Sequence, residues 1–158
     1  MNERSIRKDR ELARAVLKGL TVYGEQIARQ GKADEVQQIR RIVDKISGYW
    51  GVDGRRDWTG EFDERIREVS QKGNVPQHCS NLMQLKAVKG LYRYAVEMAE
   101  VQGVEEIDWI LEIPDIIRRM GQALEMSANE INGVCHKIEN IAEELQKESQ
   151  DMRMEFGQ

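Results

Sequence analysis

The residues of this chain best suited to site chemistry are two histidines and two cysteines, and each cysteine has a histidine beside it, as His78-Cys79 and Cys135-His136. In composition they make a Cys2His2 zinc set. In spacing they do not, because structural zinc ligands usually sit roughly two to five residues apart and adjacent residues on a helix point about 100° away from each other. We therefore expect no metal site and no cofactor. Cys135 reads as a small residue in a helical seam with His136 at its rim, and His78-Cys79 as part of a loop. Two cysteines in a chain without a signal peptide are expected to be reduced, with no 79–135 disulfide.

The carboxylates are more numerous. Glu97 and Glu100 form an E-x-x-E pair, and Glu112 with Asp115 an E-x-x-D pair. This spacing resembles the arrangement by which MazG-type nucleotide pyrophosphohydrolases hold magnesium, and the resemblance implies an all-α metal-dependent nucleotide hydrolase as one alternative. Among 28 acidic residues, however, such spacings arise freely, and the second pair straddles Pro114. We read both pairs as solvated faces. No nucleophile, base and orienting group stand out either, so the chain is not expected to be an enzyme.

The basic residues are concentrated in one part of the chain. Residues 1–58 carry 13 Lys/Arg against 9 Asp/Glu, and residues 59–158 carry 11 against 19, so a net charge of -4 conceals a basic first part and an acidic remainder. On the first helical segment, Arg4, Arg7, Lys8, Arg14 and Lys18 project opposite the apolar stripe. Arg40, Arg41, Lys45, Arg55 and Arg56 follow, with Trp58 beside the last two. An exposed Trp among arginines would make a base-stacking platform; folded back, it would cover a core edge. These residues define a second alternative, a small helical subunit that grips nucleic-acid backbone within a nucleoprotein complex. In size and class the chain resembles the all-helical small subunits of CRISPR effector complexes. Its overall acidity points the other way.

The elements that position these residues are helical. With 40% hydrophobic residues, 33% charged and only two prolines, the composition fits an all-α protein and excludes a disordered chain or a β-sandwich. A chain of 158 residues is expected to form a single domain that buries roughly 70% of its unfolded surface. No apolar run reaches the roughly 20 residues of a membrane span, and MNERSIRKDRE lacks a signal-peptide core, so a cytoplasmic protein without membrane contact is expected.

Helical spacing of Ile6, Ala13, Val16, Leu20, Tyr23 and Ile27 predicts a first helix over 5–30, closed by Gly31. Asp34 and Gln37 suggest a capping-box start for a second helix, with Val36, Ile39, Val43, Ile46 and Trp50 inward. Together these make a basic helical hairpin over 1–50. The stretch 51–60, GVDGRRDWTG, reads as a loop without a phosphate-binding signature. Short helices fill 61–113: one over about 61–71 with Phe62, Ile66 and Val69 inward, and one capped by Ser80 with Leu82, Leu85, Val88, Tyr92 and Ala95 inward.

From Pro114 to Phe156 a heptad seam runs through Leu124, Ala128, Ile131, Cys135, Ile138, Ala142, Leu145, Ser149 and Met152. Large and small residues alternate along it, and Val134 and Ile141 widen it beyond a two-helix coil. The fold expected is an all-α bundle of five to six helices with a long C-terminal heptad-patterned helix, weakest at Gly121 and Gly133. The function expected is a non-enzymatic helical protein–protein interaction module, an adaptor, inhibitor or assembly subunit. It would self-associate as a homo-oligomer through Leu124, Ala128, Ile131, Cys135, Ile138, Ala142, Leu145 and Met152, and take a protein partner whose identity the residues do not specify.

Overall fold

The computed structural model describes residues 9–51, 56–78, 80–101, 107–123 and 125–155, for 123 and 151–155 the backbone alone. Among the described residues the chain is all-α, with six helices and no strand: α1 (Arg10–Arg29), α2 (Ala33–Trp50), α3 (Trp58–Ser70), α4 (Asn81–Val101), α5 (Ile107–Ala123) and α6 (Ala128–Glu155). None is long and apolar enough to cross a membrane. By its contacts the chain divides into two compact units, Met1–Gly90 and Leu91–Gln158, with the boundary inside α4.

In the first unit α1 is the central helix. Asp9 caps it, its carboxylate accepting from the Leu12 N–H at 3.1 Å. Expected as an amphipathic helix with a broad basic outside, α1 instead buries Ala13, Ala15, Val16, Leu17, Leu20, Val22 and Ile27, because α2 and α3 both pack on it and the start of α4 covers a further side. That last approach depends on Gly19, where an added Cβ would stand 2.6 Å from Cβ of Ala87.

Gly31, at φ 76°, turns the chain into α2. The start of α2 differs from the expected capping box: Lys32 occupies the cap position without a side-chain bond, and Asp34 lies in the first turn, where its charge complements the helix dipole. The predicted stripe Val36, Ile39, Val43, Ile46 and Trp50 is buried as expected.

The expected loop over 51–60 is shorter than predicted. Asp57 accepts from the Gly60 N–H at 2.8 Å and starts α3 at Trp58. Ser80 caps α4 through the Met83 N–H, at 3.2 Å. On α4 the burial pattern is rotated from the predicted one: Ala87, Val88, Leu91, Tyr94 and Ala95 are inside, while Leu82 and Leu85 are 65% and 43% exposed.

The second unit corrects the largest expectation. The helix predicted over 114–156 is two helices, and Pro114 lies within α5 instead of opening α6. A proline there removes the N–H that would bond the Ile110 carbonyl and costs about 3 kcal/mol. Burial of Ile110, Ile113, Ile116 and Ile117 outweighs it, at roughly 1.5–3 kcal/mol for each side chain. Beyond Gly121 the helix stops in a Schellman pattern, with the Met126 N–H bonded to the Gly121 carbonyl at 3.0 Å and the Glu125 N–H to the Gln122 carbonyl at 3.1 Å. Ser127 then caps α6 by accepting from the Glu130 N–H at 3.1 Å. The two helices fold back on each other. Gly121 permits a close approach: an added Cβ there would stand 2.8 Å from the Ile131 side chain.

Glu125 holds this turn at φ 58°, a left-handed conformation that costs a residue with a Cβ roughly 1 kcal/mol relative to glycine. Glu125→Gly is therefore expected to stabilise the protein by about 0.5–1 kcal/mol, read as a higher urea midpoint at unchanged slope. A lower midpoint would show that the Glu125 side chain contributes more than its backbone strain costs.

Candidate functional site

The basic residues singled out from the sequence are described only in part. Arg4, Arg7, Lys8 and Arg55 lie outside the described residues. Arg14 and Lys18 are exposed on α1. Arg40 forms a two-pronged bond to Asp63, Nε to Oδ1 at 2.7 Å and Nη2 to Oδ2 at 3.0 Å, and so ties α2 to α3. That hydrogen bond, reinforced by the charge of Asp63, raises the guanidinium above its ordinary value. Thr59 Oγ1 donates to Asp44 at 2.9 Å across the same two helices. Arg14, Arg41 and Lys45 have interactions of their own.

Arg56 and Trp58 come together, but not as a stacking platform. Trp58 is only 5% exposed, because Asp57 makes it the first residue of α3 and places it one turn before the fully buried Phe62. Arg56 lies over the indole, its Cζ 3.9 Å from the ring centroid, and its Nε is held by Glu61 at 2.9 and 3.0 Å. The indole is thus unavailable to a nucleobase: of the two readings, Trp58 takes the one in which it folds back over the core edge.

These two residues border a cleft of about 320 Å³, lined also by Lys18, Thr21, Glu61, Glu64, Arg65 and Gln77. Behind Arg65 and Gln77 sits Glu25, fully buried on α1. Its carboxylate accepts from Arg65 Nε at 2.5 Å and from the Gln77 N–H at 2.8 Å. Arg65 Nη1 also donates to Glu68 at 2.9 Å. With its amide turned so that oxygen faces the guanidinium, Gln77 accepts from Arg65 Nη2 at 3.1 Å. A charge buried this deeply is tolerated only when paired and hydrogen-bonded, and Glu25 is both.

Sequence reasoning did not find this clasp. One signal existed: Glu25 stands four residues after Thr21 and eight after Leu17, on a stretch of α1 otherwise free of acids back to Glu11. Its partners, on α3 and in the segment before α4, carry no local mark. In chemical terms the arginines of the cleft are matched to carboxylates, Arg56 to Glu61, Arg65 to Glu25 and Glu68, and Arg67 to Glu64 at its margin, and Lys18 also lines it. None of its lining residues is a histidine, cysteine or serine. Its arrangement fixes α1, α3 and the segment before α4 against one another.

In the second unit Ile131, Cys135, Ile138 and Ala142 are buried, so this part of the seam is covered within the chain. Of the other seam residues, Ala128 is exposed, Leu145 and Ser149 are half-buried, and Leu124 and the Met152 side chain lie outside the described residues. The Cys135 thiol donates to the Pro114 carbonyl at 3.4 Å, and burial pushes its pKa above the ordinary 9.0 against the opposing pull of Arg118. Cys135 is a free thiol; Cys79 lies outside the described residues. His136 is exposed, with Nδ1 4.0 Å from Glu139, which itself pairs with Arg118 at 2.7 Å.

The carboxylate pairs are also placed. Glu112 and Asp115 both lie on the continuous α5, where Asp115 pairs with Arg119 at 2.7 Å; Glu97 is half-buried on α4 and Glu100 exposed. No group of three or more His, Cys, Asp or Glu side chains converges among the described residues. No family model matches the chain, and comparisons with curated proteins and with solved structures find no match.

Proposed function

We propose that this chain is a non-enzymatic helical interaction module that self-associates through the distal half of α6. The observation that carries the reading is a mismatch between pattern and burial. Among the described side chains of α6 the buried positions stop at Ala142, yet the apolar stripe of the sequence continues through Leu145 to Met152. Helix lengths explain the mismatch. α6 has 28 residues and runs about 42 Å, whereas the 17 residues of α5 run about 26 Å and cannot cover it to its end. A stripe left half-covered in this way is the kind of surface on which helices associate.

The role has moved along the helix from where the sequence suggested. Ile131, Cys135, Ile138 and Ala142 serve the inside of the second unit, which leaves Ile141, Leu145 and the residues beyond as the associating face. Light scattering at micromolar concentration tests the proposal. The unaltered chain is expected to have at least twice the monomer mass, and Leu145→Asp to return it to the monomer with helical circular dichroism retained. A monomeric mass for the unaltered chain across the micromolar range would refute it.

A further inference from the structure

The distal face of α6 is acidic as well as apolar, and among the described residues a surface that complements it is on α4. Within one face of α6 lie Ile141, Glu144, Leu145 and Glu148, the two apolar residues half-buried and the two carboxylates exposed. Within one face of α4, Leu82, Leu85, Lys86 and Lys89 fall inside about 100° of arc, all four exposed. Leu82 and Leu85 are among the most exposed large apolar side chains of the chain. The α4 face is also free of acids of its own element: between Glu68 and Glu97 the sequence contains no Asp or Glu. Among the described residues Glu11 of α1 approaches it, 88% exposed and 3.9 Å from Lys86, a contact too solvated to neutralise the lysine.

We infer that the α4 face of one copy receives the distal α6 face of a second copy, leucines against Ile141 and Leu145, with Lys86 and Lys89 facing Glu144 and Glu148. This inference rests on the self-association proposed above and names its counter-surface. The competing geometry, α6 against α6, would bring Glu144 and Glu148 of two copies together and leave Leu82 and Leu85 in water. Like charges opposed across an interface disfavour it, whereas the α4–α6 contact satisfies both the charge and the apolar area.

A charge swap tests the inference. Lys86→Glu with Lys89→Glu, and separately Glu144→Lys with Glu148→Lys, are each expected to weaken association by about tenfold or more, because each sets like charges opposite one another. Mixing the two double variants is expected to restore the mass of the unaltered chain, since every α4–α6 contact between unlike copies is again complementary. Circular dichroism of each variant verifies that it folds. If the unaltered chain associates but the lysine reversals leave its mass unchanged, the α4 surface is excluded while self-association stands. A chain that is monomeric throughout overturns both. Flotation of a monomeric chain with phosphatidylserine vesicles, lost on the lysine reversals, would assign the α4 face to an anionic membrane and overturn the inference.

Discussion

Arg65→Met is expected to destabilise the first unit by about 3 kcal/mol, several times what an exposed ion pair contributes. The reason lies in the environment of Glu25. Arg65 is 28% exposed and would be solvated on its own, but Glu25 is completely buried and would retain only the Gln77 N–H. The cost is that of an unpaired buried carboxylate more than of a lost attraction. A second substitution separates these two terms. Glu25→Gln keeps an oxygen for the Gln77 N–H and removes the charge, so adding it to Arg65→Met is expected to recover at least half of the loss, giving a large coupling energy in a double-mutant cycle. Urea denaturation of the four proteins measures it. If Arg65→Met costs less than about 1 kcal/mol, Glu25 is reached by water in solution and the clasp contributes no more than a surface pair.

Ile138→Asp is the second large effect. Ile138 is fully buried in the second unit, between Cys135 and Ala142 along the same covered stripe of α6. The substitution removes an aliphatic side chain and places an unpaired charge in its position, each a cost of several kcal/mol, and together they exceed the stability expected of a small helical unit. The expected result is loss of α5–α6 structure, seen as reduced helical circular dichroism, with Ile138→Val costing only about 1 kcal/mol. Leu145→Asp, seven residues on, is expected to change mass and not helicity. The contrast between the two positions is the test: a folded, monomeric Ile138→Asp protein would mean that the proximal seam faces a second copy after all.

The sequence by itself determined that this protein is all-α and where most of its helices lie. Helix formation is local: apolar residues at three- and four-residue spacing mark α1, α2 and α3, Gly31 separates the first two, Ser80 opens α4, and each signal acts within a few residues of its effect. The break between α5 and α6 was missed although a local signal for it was present. Ser127 with Glu130 is an S-x-x-E capping signature, masked because the heptad runs on either side of it keep nearly the same phase. Association was not legible, because an apolar stripe specifies that a face is covered and is silent about what covers it.

Tertiary structure decided the remainder. Trp58 became a core residue because Asp57 starts α3 in front of it. Pro114 stayed inside a helix because four isoleucines of α5 are buried around it. Arg40, expected to face a partner, became an ion pair with Asp63 between α2 and α3. Glu25 found Arg65 forty residues away, a pairing that depends on how whole helices pack and leaves no trace in the periodicity of either one.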